Sequence, residues 1–157
     1  MIEIQSNWEN LIIKNSENKK IEFNYSNKEV KIDWFLIDFP WEYEKAWILL
    51  EVKEHENNFF YNFSIDWNAL LLIPEDNFEL KEEIVSFFGD VDVLLINWTK
   101  NSTKIIENVE ARVVVPFWEW KDVCLNALWQ HKEEVENIKL KSSDFENDET
   151  QIINLKI

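Results

Sequence analysis

The sequence predicts a single layered α/β or α+β domain built around β-sheets. Two observations predict this class: strand-like segments fill the first half of the chain, and strand-like and helix-like segments alternate in the second half. The length of 157 residues fits one domain, so we expect one domain over residues 1–157. We find no internal repeat and no low-complexity linker.

The strands of the first half are predicted from short runs rich in Ile, Phe and Tyr, which turn clusters of Asn, Ser and Lys separate. The predicted strands are Asn10–Lys14, Lys20–Tyr25, Val30–Asp38, Ala46–Val52 and Phe59–Ile65. The segment Asp66–Asn68 then joins Phe59–Ile65 to the apolar run Ala69–Ile73. We expect a tight hairpin turn there, in which both central residues have positive φ.

The second half combines helices with buried strands. Leu80–Phe88 has apolar residues at helical spacing, with Asp76 or Asn77 as a possible cap and Gly89 at its end. Nearly continuous apolar runs predict strands buried on both faces. These strands are Val91–Ile96 and Arg112–Val115, and Pro116 ends the second. Two further helices are predicted at Ser102–Asn108 and Asp122–Leu128, and Val123, Leu125 and Leu128 of the latter should face inward. The predicted closing strands are Val135–Leu140 and Gln151–Leu155.

Charge and cysteine content exclude several classes of protein. With 31 acidic and 16 basic residues, the net charge of −15 argues against a nucleic-acid partner, which requires clustered Lys and Arg. One cysteine excludes an internal disulfide and a cysteine-based zinc site. No signal peptide and no apolar run of membrane-spanning length are visible, so we expect a cytoplasmic protein that binds no membrane.

Glycine and tryptophan occur in unusual numbers. Average usage would give roughly 11 glycines, but the sequence has 1 glycine and 9 tryptophans. Trp67 stands in the expected hairpin turn, Trp41 follows Pro40 in an expected type II turn, and Trp129 stands at an expected helix end, all places that favour glycine. Some bacterial lineages decode UGA as glycine, and translating such a gene with UGA as tryptophan would give this pattern. The alternative is a tryptophan-rich protein from an AT-rich genome.

With tryptophan replaced by glycine, Phe39–Glu44 becomes F-P-G-E-Y-E. This closely resembles a motif of compact bacterial members of the metallo-β-lactamase-fold superfamily, the group similar to ascorbate-6-phosphate lactonase. Further segments resemble the family in the same order: Ile65–Trp67, Leu80–Ile96, Val113–Pro116, Ile138–Lys141 and Thr150–Ile153. The resemblance extends from Asp33 to the C-terminus. It implies a shortened metallo-β-lactamase-like αββα sandwich, in which sheets pack face to face with helices outside.

The resemblance also implies a metal site, from which this sequence departs. Family members typically use an H-x-H-x-D-H loop, a later His and Asp, and a final His to hold one or two zinc-like ions that generate hydroxide. Here the loop is absent, Leu72 and Glu75 stand at the later His and Asp positions, and Trp118 stands at the final His position. We therefore expect a family scaffold without catalytic residues, metal or cofactor.

Carboxylates could replace the lost imidazoles. Glu75, Asp76 and Glu119 are the candidate cation site, which Glu42 and Glu44 could join. Such oxygen ligands suit Mg²⁺, Ca²⁺ or Mn²⁺. The competing interpretation is that these side chains are solvated loop acids in a chain with 31 acidic residues.

The single cysteine and the two histidines have structural explanations. Cys124 lies in an apolar helical stretch with no histidine beside it in sequence, which favours a buried structural cysteine over a nucleophile. His55 and His131 lie among charged residues, so we expect both to be exposed and not to bind metal.

Three functions are compatible with these features. The leading hypothesis is a catalytically inactive, metal-free protein of this fold that acts by binding or assembly, with an unknown protein partner or a second copy of itself. The first alternative is a metal-dependent hydrolase of the same superfamily with a carboxylate site. The second, if the tryptophans are real, is an aromatic surface around Trp41, Trp118 and Trp120 that binds a sugar or a peptide.

Overall fold

The computed structural model describes residues 1–75, 77–97, 102–117, 121–128 and 133–156. The strands are β1 (Ile2–Ser6), β2 (Asn10–Lys14), β3 (Lys20–Asn24), β4 (Val30–Ile32), β5 (Phe35–Ile37), β6 (Glu42–Lys45), β7 (Ile48–His55), β8 (Asn58–Ile65), β9 (Asn68–Ile73), β10 (Val93–Asn97), β11 (Val113–Phe117), β12 (Asn137–Leu140) and β13 (Gln151–Ile152). The helices are α1 (Glu82–Phe88), α2 (Ser102–Val109) and α3 (Lys121–Ala127), and a 3₁₀ turn covers Ser142–Phe145.

The strands form two sheets. The first has the order β12-β1-β2-β3-β4-β5 and is antiparallel throughout. The second has the order β13-β11-β10-β9-β8-β7-β6. It is antiparallel from β6 to β9 and parallel from β9 to β13. The parallel strands β9, β10 and β11 therefore all end at the same edge of the second sheet.

Alternating side chains of the two sheets form the main core. In β1 and β2, for example, Ile4 and Ile13 pair in register and are both fully buried between the sheets. A second core lies on the other face of the second sheet, where Ile84 of α1, Ile105 of α2 and Leu125 of α3 are buried. The predicted class is confirmed, with sheets face to face and helices outside; the three described α-helices all pack on the second sheet.

Four two-residue hairpin turns connect neighbouring strands. They are Asp33–Trp34, Ala46–Trp47, Glu56–Asn57 and Asp66–Trp67, and both residues of each turn have positive φ. This is the type I′ geometry, which prefers Asn or Gly at its central positions. The predicted positive-φ turn at Asp66–Trp67 is confirmed. The predicted strand Val30–Asp38 is in fact two strands, because Asp33–Trp34 is a hairpin turn.

Other boundaries differ from the sequence-based prediction. Strand β11 does not stop at Pro116, which pairs with Ile96 of β10. The missing N–H of proline is tolerated because β13, on the other side of β11, pairs only with Val113 and Val114. In α3, Val123 is 49% exposed rather than inward.

Some elements begin or end elsewhere than predicted. Helix α1 begins after Lys81, which makes no side-chain cap, so Asn77 is not its cap. Gly89 ends α1 with φ of 61°, as predicted. The prediction missed the short strands β1 and β6. None of the described helices has the length and apolar character that crossing a bilayer requires.

Candidate functional site

The candidate site lies at the carboxyl ends of the parallel strands. β9 ends at Ile73, β10 at Asn97 and β11 at Phe117. Ligands of open sheets with parallel strands bind at such ends, because the loops that follow the strands meet there. Several residues singled out in the sequence lie outside the described residues: Asp76, Trp118, Glu119, Trp120, Trp129 and His131.

Leu72 belongs to the packed core and not to an open site. It pairs with Leu95 of β10 and with Tyr61 of β8, and it is 0% exposed. Its side chain is part of the cluster buried between the two sheets. The position that the resemblance assigns to a histidine ligand therefore holds an aliphatic side chain that contacts no solvent.

Three aromatic rings pack between the sheets beside the end of β11. The ring of Phe117 lies 5.6 Å from that of Phe23 and 5.9 Å from that of Tyr25, centroid to centroid. All three residues are at most 1% exposed. The Tyr25 hydroxyl shares a hydrogen bond with the Ser6 hydroxyl, and burial outweighs this bond and raises the pKa of Tyr25 to about 12. Apolar packing thus occupies the space between the sheets at this end of β11.

Glu75 lines a small pocket next to the end of β9. The pocket has a volume of about 120 Å³, and Lys28, Asn58, Tyr61 and Pro74 are among its other lining residues. Glu75 is exposed, while burial, and to a lesser degree the charge of Tyr43, raises the pKa of Tyr61 to about 12. Lys28 and Glu75 thus contribute residues of opposite charge to the lining of this pocket.

The donor set of the described residues does not fit a zinc ion or another resident metal. In the part of the chain that the structure describes, no three His, Cys, Asp or Glu side chains are grouped so that they could hold one. Glu75 is the one member of the proposed carboxylate set that lies among the described residues at the carboxyl ends of the parallel strands. Glu42 and Glu44 lie in β6, at the far edge of the second sheet. A catalytic zinc ion requires about three protein ligands and an open position.

His55 is partly buried, so its predicted exposure is wrong. Its side chain is 16% exposed, and its Nε2 lies 3.6 Å from Oε1 of Glu56. The ring meets that of Phe78 edge-on, with centroids 6.5 Å apart. This packing against Phe78 removes His55 from solvent, which the surrounding charged sequence did not indicate.

Cys124 is buried, as predicted. Its exposure is 0%, and burial raises the pKa of its thiol to about 12. Because the thiolate is the nucleophile, this environment makes Cys124 unreactive near neutral pH. The predicted burial of Cys124 is confirmed.

The described tryptophans are all exposed. Trp8, Trp34, Trp41, Trp47 and Trp67 are 72–102% exposed. Trp34, Trp47 and Trp67 have φ of 73°, 63° and 69°, in a region where a bulky side chain is a steric outlier. Trp41 is not among the residues with positive φ, so the predicted type II turn at Pro40–Trp41 is wrong. The Trp41 carbonyl instead accepts a hydrogen bond from the Val52 N–H, where the chain enters β6.

Comparison with known proteins identifies the fold. No protein-family model matches the sequence, and no curated protein matches it. A solved structure from Thermotoga maritima, provisionally named a Zn-dependent hydrolase of the metallo-β-lactamase superfamily, aligns over 100% of both chains with a TM-score of 0.80 at 16% identity. The chain has the metallo-β-lactamase fold. This confirms the predicted fold class, and an identity of 16% establishes the fold alone.

Within this metallo-β-lactamase fold, sequence reasoning missed the pocket beside Glu75. Lys28 comes from the turn between β3 and β4, Asn58 and Tyr61 come from β8, and Glu75 follows β9. These residues are far apart in sequence and lie on two different sheets. Neither spacing nor a motif signals them, and only the packing of the sheets brings them together.

Proposed function

We propose that this chain is a metal-free, catalytically inactive member of the metallo-β-lactamase superfamily that acts by binding or assembly. We place it in the compact bacterial group similar to ascorbate-6-phosphate lactonase. The burial of Leu72 carries this proposal: a fully buried aliphatic side chain stands at the position of a histidine ligand. The fold remains, while no group of described His, Cys, Asp or Glu side chains could hold an ion.

The chemistry of the remaining residues supports the same proposal. Metal-dependent hydrolysis needs an ion that lowers the pKa of a bound water, and several nitrogen or oxygen ligands must hold that ion. Glu75 offers one exposed carboxylate, and Lys28 lines the same pocket. This arrangement does not support metal-activated hydrolysis, because the described residues hold no group of three metal-ligating side chains.

Apolar contacts stabilise this end of the sandwich in place of metal bonds. Phe23, Tyr25 and Phe117 bury their rings at the end of β11, and Leu72 packs in the same inter-sheet core. Aromatic pairs of this kind contribute about 0.5–1.5 kcal/mol beyond the burial of their surface. A scaffold held together in this way does not require an ion in order to fold.

The test is the response of the melting temperature to added Zn²⁺ or Mn²⁺. A ligand that binds only the native state raises the melting temperature, so the proposal predicts no shift. Glu75→Gln is the informative variant, and Glu17→Gln, at another exposed glutamate, is its matched control. A stabilising shift that Glu75→Gln abolishes and Glu17→Gln retains, together with a hydrolytic activity lost in the same variant, would support the carboxylate-site hydrolase instead.

We further propose that the tryptophan positions are glycine in the native protein, through decoding of UGA. The φ values of Trp34, Trp47 and Trp67 support this, because each stands at the second position of a type I′ turn. Asn57, a residue that tolerates this geometry, holds the same position in the fourth turn. The intact mass of the protein from its native source tests the proposal, since nine Trp-to-Gly differences lower the mass by about 1.2 kDa.

A second candidate function applies if the native mass contains nine tryptophans. The five described tryptophans are 72–102% exposed, an unusual display of aromatic surface. Such side chains could stack on a sugar or bind a peptide, because they offer a large contact area at low entropic cost. A native mass that matches nine tryptophans would make this binding module the leading interpretation.

A further inference from the structure

We propose that the edge of the sandwich formed by β5 and β6 binds an extended segment of a partner protein in which basic and apolar residues alternate. The segment would add to the second sheet as a strand beside β6. This inference rests on the proposed function, because it specifies the partner of a scaffold that acts by binding. The proposal is based on the outer edge of β6, with which no described strand pairs. Exposed aromatic side chains lie on one side of this edge, and glutamates without a described ion pair lie on the other.

The backbone of β6 is available for pairing. β6 is the last strand of the second sheet, and no described strand pairs with its outer side. The Trp41 carbonyl accepts the Val52 N–H, so residue 41 points its backbone groups toward β7. Because backbone direction alternates along a strand, the N–H and C=O groups of Glu42 and Glu44 point away from β7. Such unpaired groups are a template for an added strand.

Apolar side chains continue this edge onto the first sheet. Phe35 and Phe39 are 47% and 65% exposed. The ring of Phe35 lies 6.2 Å from that of Tyr43, and the Tyr43 hydroxyl bonds to both the N–H and the carbonyl of Phe39. Tyr43 thereby links the last strands of the two sheets into one surface. None of these residues is a tryptophan, so the surface does not depend on how UGA is decoded.

The other side of β6 is acidic. Glu42 and Glu44 are exposed, and Glu42 pairs across the strands with the exposed Glu51. These three glutamates and Leu49 line a groove of about 530 Å³. Within the described residues, none of the three takes part in an ion pair. Lys or Arg side chains of an added strand would lie opposite Glu42 and Glu44, where opposite charges stabilise cross-strand pairs.

The same charges disfavour a second copy of this chain as the occupant. Antiparallel pairing of two β6 strands through their outward-pointing residues places Glu42 opposite Glu44, or a glutamate opposite itself. Like charges directly opposite each other destabilise a strand pair. Each copy also carries a net charge of −15, which adds long-range repulsion. Charge complementarity therefore selects a basic partner strand.

The test uses a fluorescent seven-residue peptide of alternating Lys and Val. We expect saturable binding by anisotropy at low salt and slower amide exchange at Glu42 and Glu44 in the complex. The double variant Glu42→Gln/Glu44→Gln should bind on the order of fivefold more weakly. The matched double variant Glu9→Gln/Glu17→Gln removes the same charge from exposed positions elsewhere and should keep the wild-type affinity.

A second peptide separates strand pairing from attraction between opposite charges. It has the same sequence but is N-methylated at every residue, so that it keeps its charge but has no backbone N–H with which to pair as a strand on either edge. Equal affinity for both peptides, equal weakening in the two double variants, or no binding would overturn the inference. A dimer of the chain would also overturn the inference if sedimentation shows that Glu42→Gln/Glu44→Gln dissociates or strengthens it. A second copy of the chain would then occupy the edge. These results leave the metal titration unchanged, so the docking edge and the metal-free scaffold can fail separately.

Discussion

Glycine in place of Trp34, Trp47 and Trp67 should stabilise the fold. These residues have φ of 73°, 63° and 69° in two-residue turns. The left-handed conformation costs a non-glycine residue roughly 1–2 kcal/mol. Glycine removes this cost but adds about 0.4–1 kcal/mol of conformational entropy to the unfolded chain. We therefore expect a net gain of about 0–1.6 kcal/mol in the free energy of unfolding at each turn.

The gain should differ among the three turns because the side chains have different contacts. Trp67 is 102% exposed and loses no packing on substitution, and Trp47 is 76% exposed. The ring of Trp34 lies 3.9 Å from the Nζ of Lys20, a cation–π contact that is worth about 0.5–1 kcal/mol at an exposed site. Trp34→Gly should therefore gain least. The triple variant should gain roughly 2 kcal/mol, which raises the melting temperature by about 4–8 °C for a chain of this size.

The assay is urea unfolding of the recombinant protein that carries the nine tryptophans. Trp8→Gly and Trp41→Gly are the controls, since both residues are exposed but neither has positive φ. The controls should lose up to about 1 kcal/mol, because glycine adds unfolded-state entropy without relieving strain. The reasoning is refuted if Trp67→Gly destabilises the protein as much as Trp8→Gly does.

Three further predictions concern buried groups. Leu72→His should lower the free energy of unfolding by about 3 kcal/mol or more in urea melts, with no recovery in Zn²⁺, because it puts a polar ring into a closed core. Cys124 should resist thiol reagents in the native protein at mildly alkaline pH and react after unfolding, because burial raises its pKa to about 12. Stability should fall as the pH rises from about 10 to about 12, because Tyr25 and Tyr61, both with a raised pKa of about 12, ionise first in the unfolded chain.

Each of these predictions has a result that contradicts it. Recovery of Leu72→His by Zn²⁺ would mean that position 72 still faces a metal site. Rapid labelling of native Cys124 would mean that its helix opens or that the thiol is accessible. Constant stability through the alkaline range in the wild type would mean that the two tyrosines are not the buried, neutral groups that the structure describes.

Local sequence patterns predicted much of the fold. The alternating strands of the first sheet, the helix ended by Gly89 and the hairpin at Asp66–Trp67 follow from short-range periodicity and turn chemistry. The turn at Asp33–Trp34 was missed because Asp-Trp lacks the glycine or asparagine that normally marks a type I′ turn. The end of β11 was misplaced because the strand continues through Pro116. Among the described strands, none pairs with Pro116 on the side away from β10, so the missing N–H is tolerated. This depends on the arrangement of the sheet and not on the local sequence.

The sequence located the candidate site but did not show its surroundings. The family resemblance pointed to Leu72 and Glu75, and the structure adds that the first is buried and the second exposed. The pocket lined by Lys28 and Tyr61, and the packing of Phe117 on Phe23, join residues from both sheets. Such contacts depend on how the sheets face each other, which no local pattern specifies.

The central claim is that this metallo-β-lactamase fold has lost its metal site. Isothermal titration of the metal-stripped protein with Zn²⁺, together with elemental analysis of the protein from its native source, tests it most directly. The proposed function predicts no saturable heat and no stoichiometric metal, because the family resemblance assigns Leu72 and Glu75 to two ligand positions. Tight binding of one or two equivalents of metal, with hydrolytic activity that appears on loading, would contradict it.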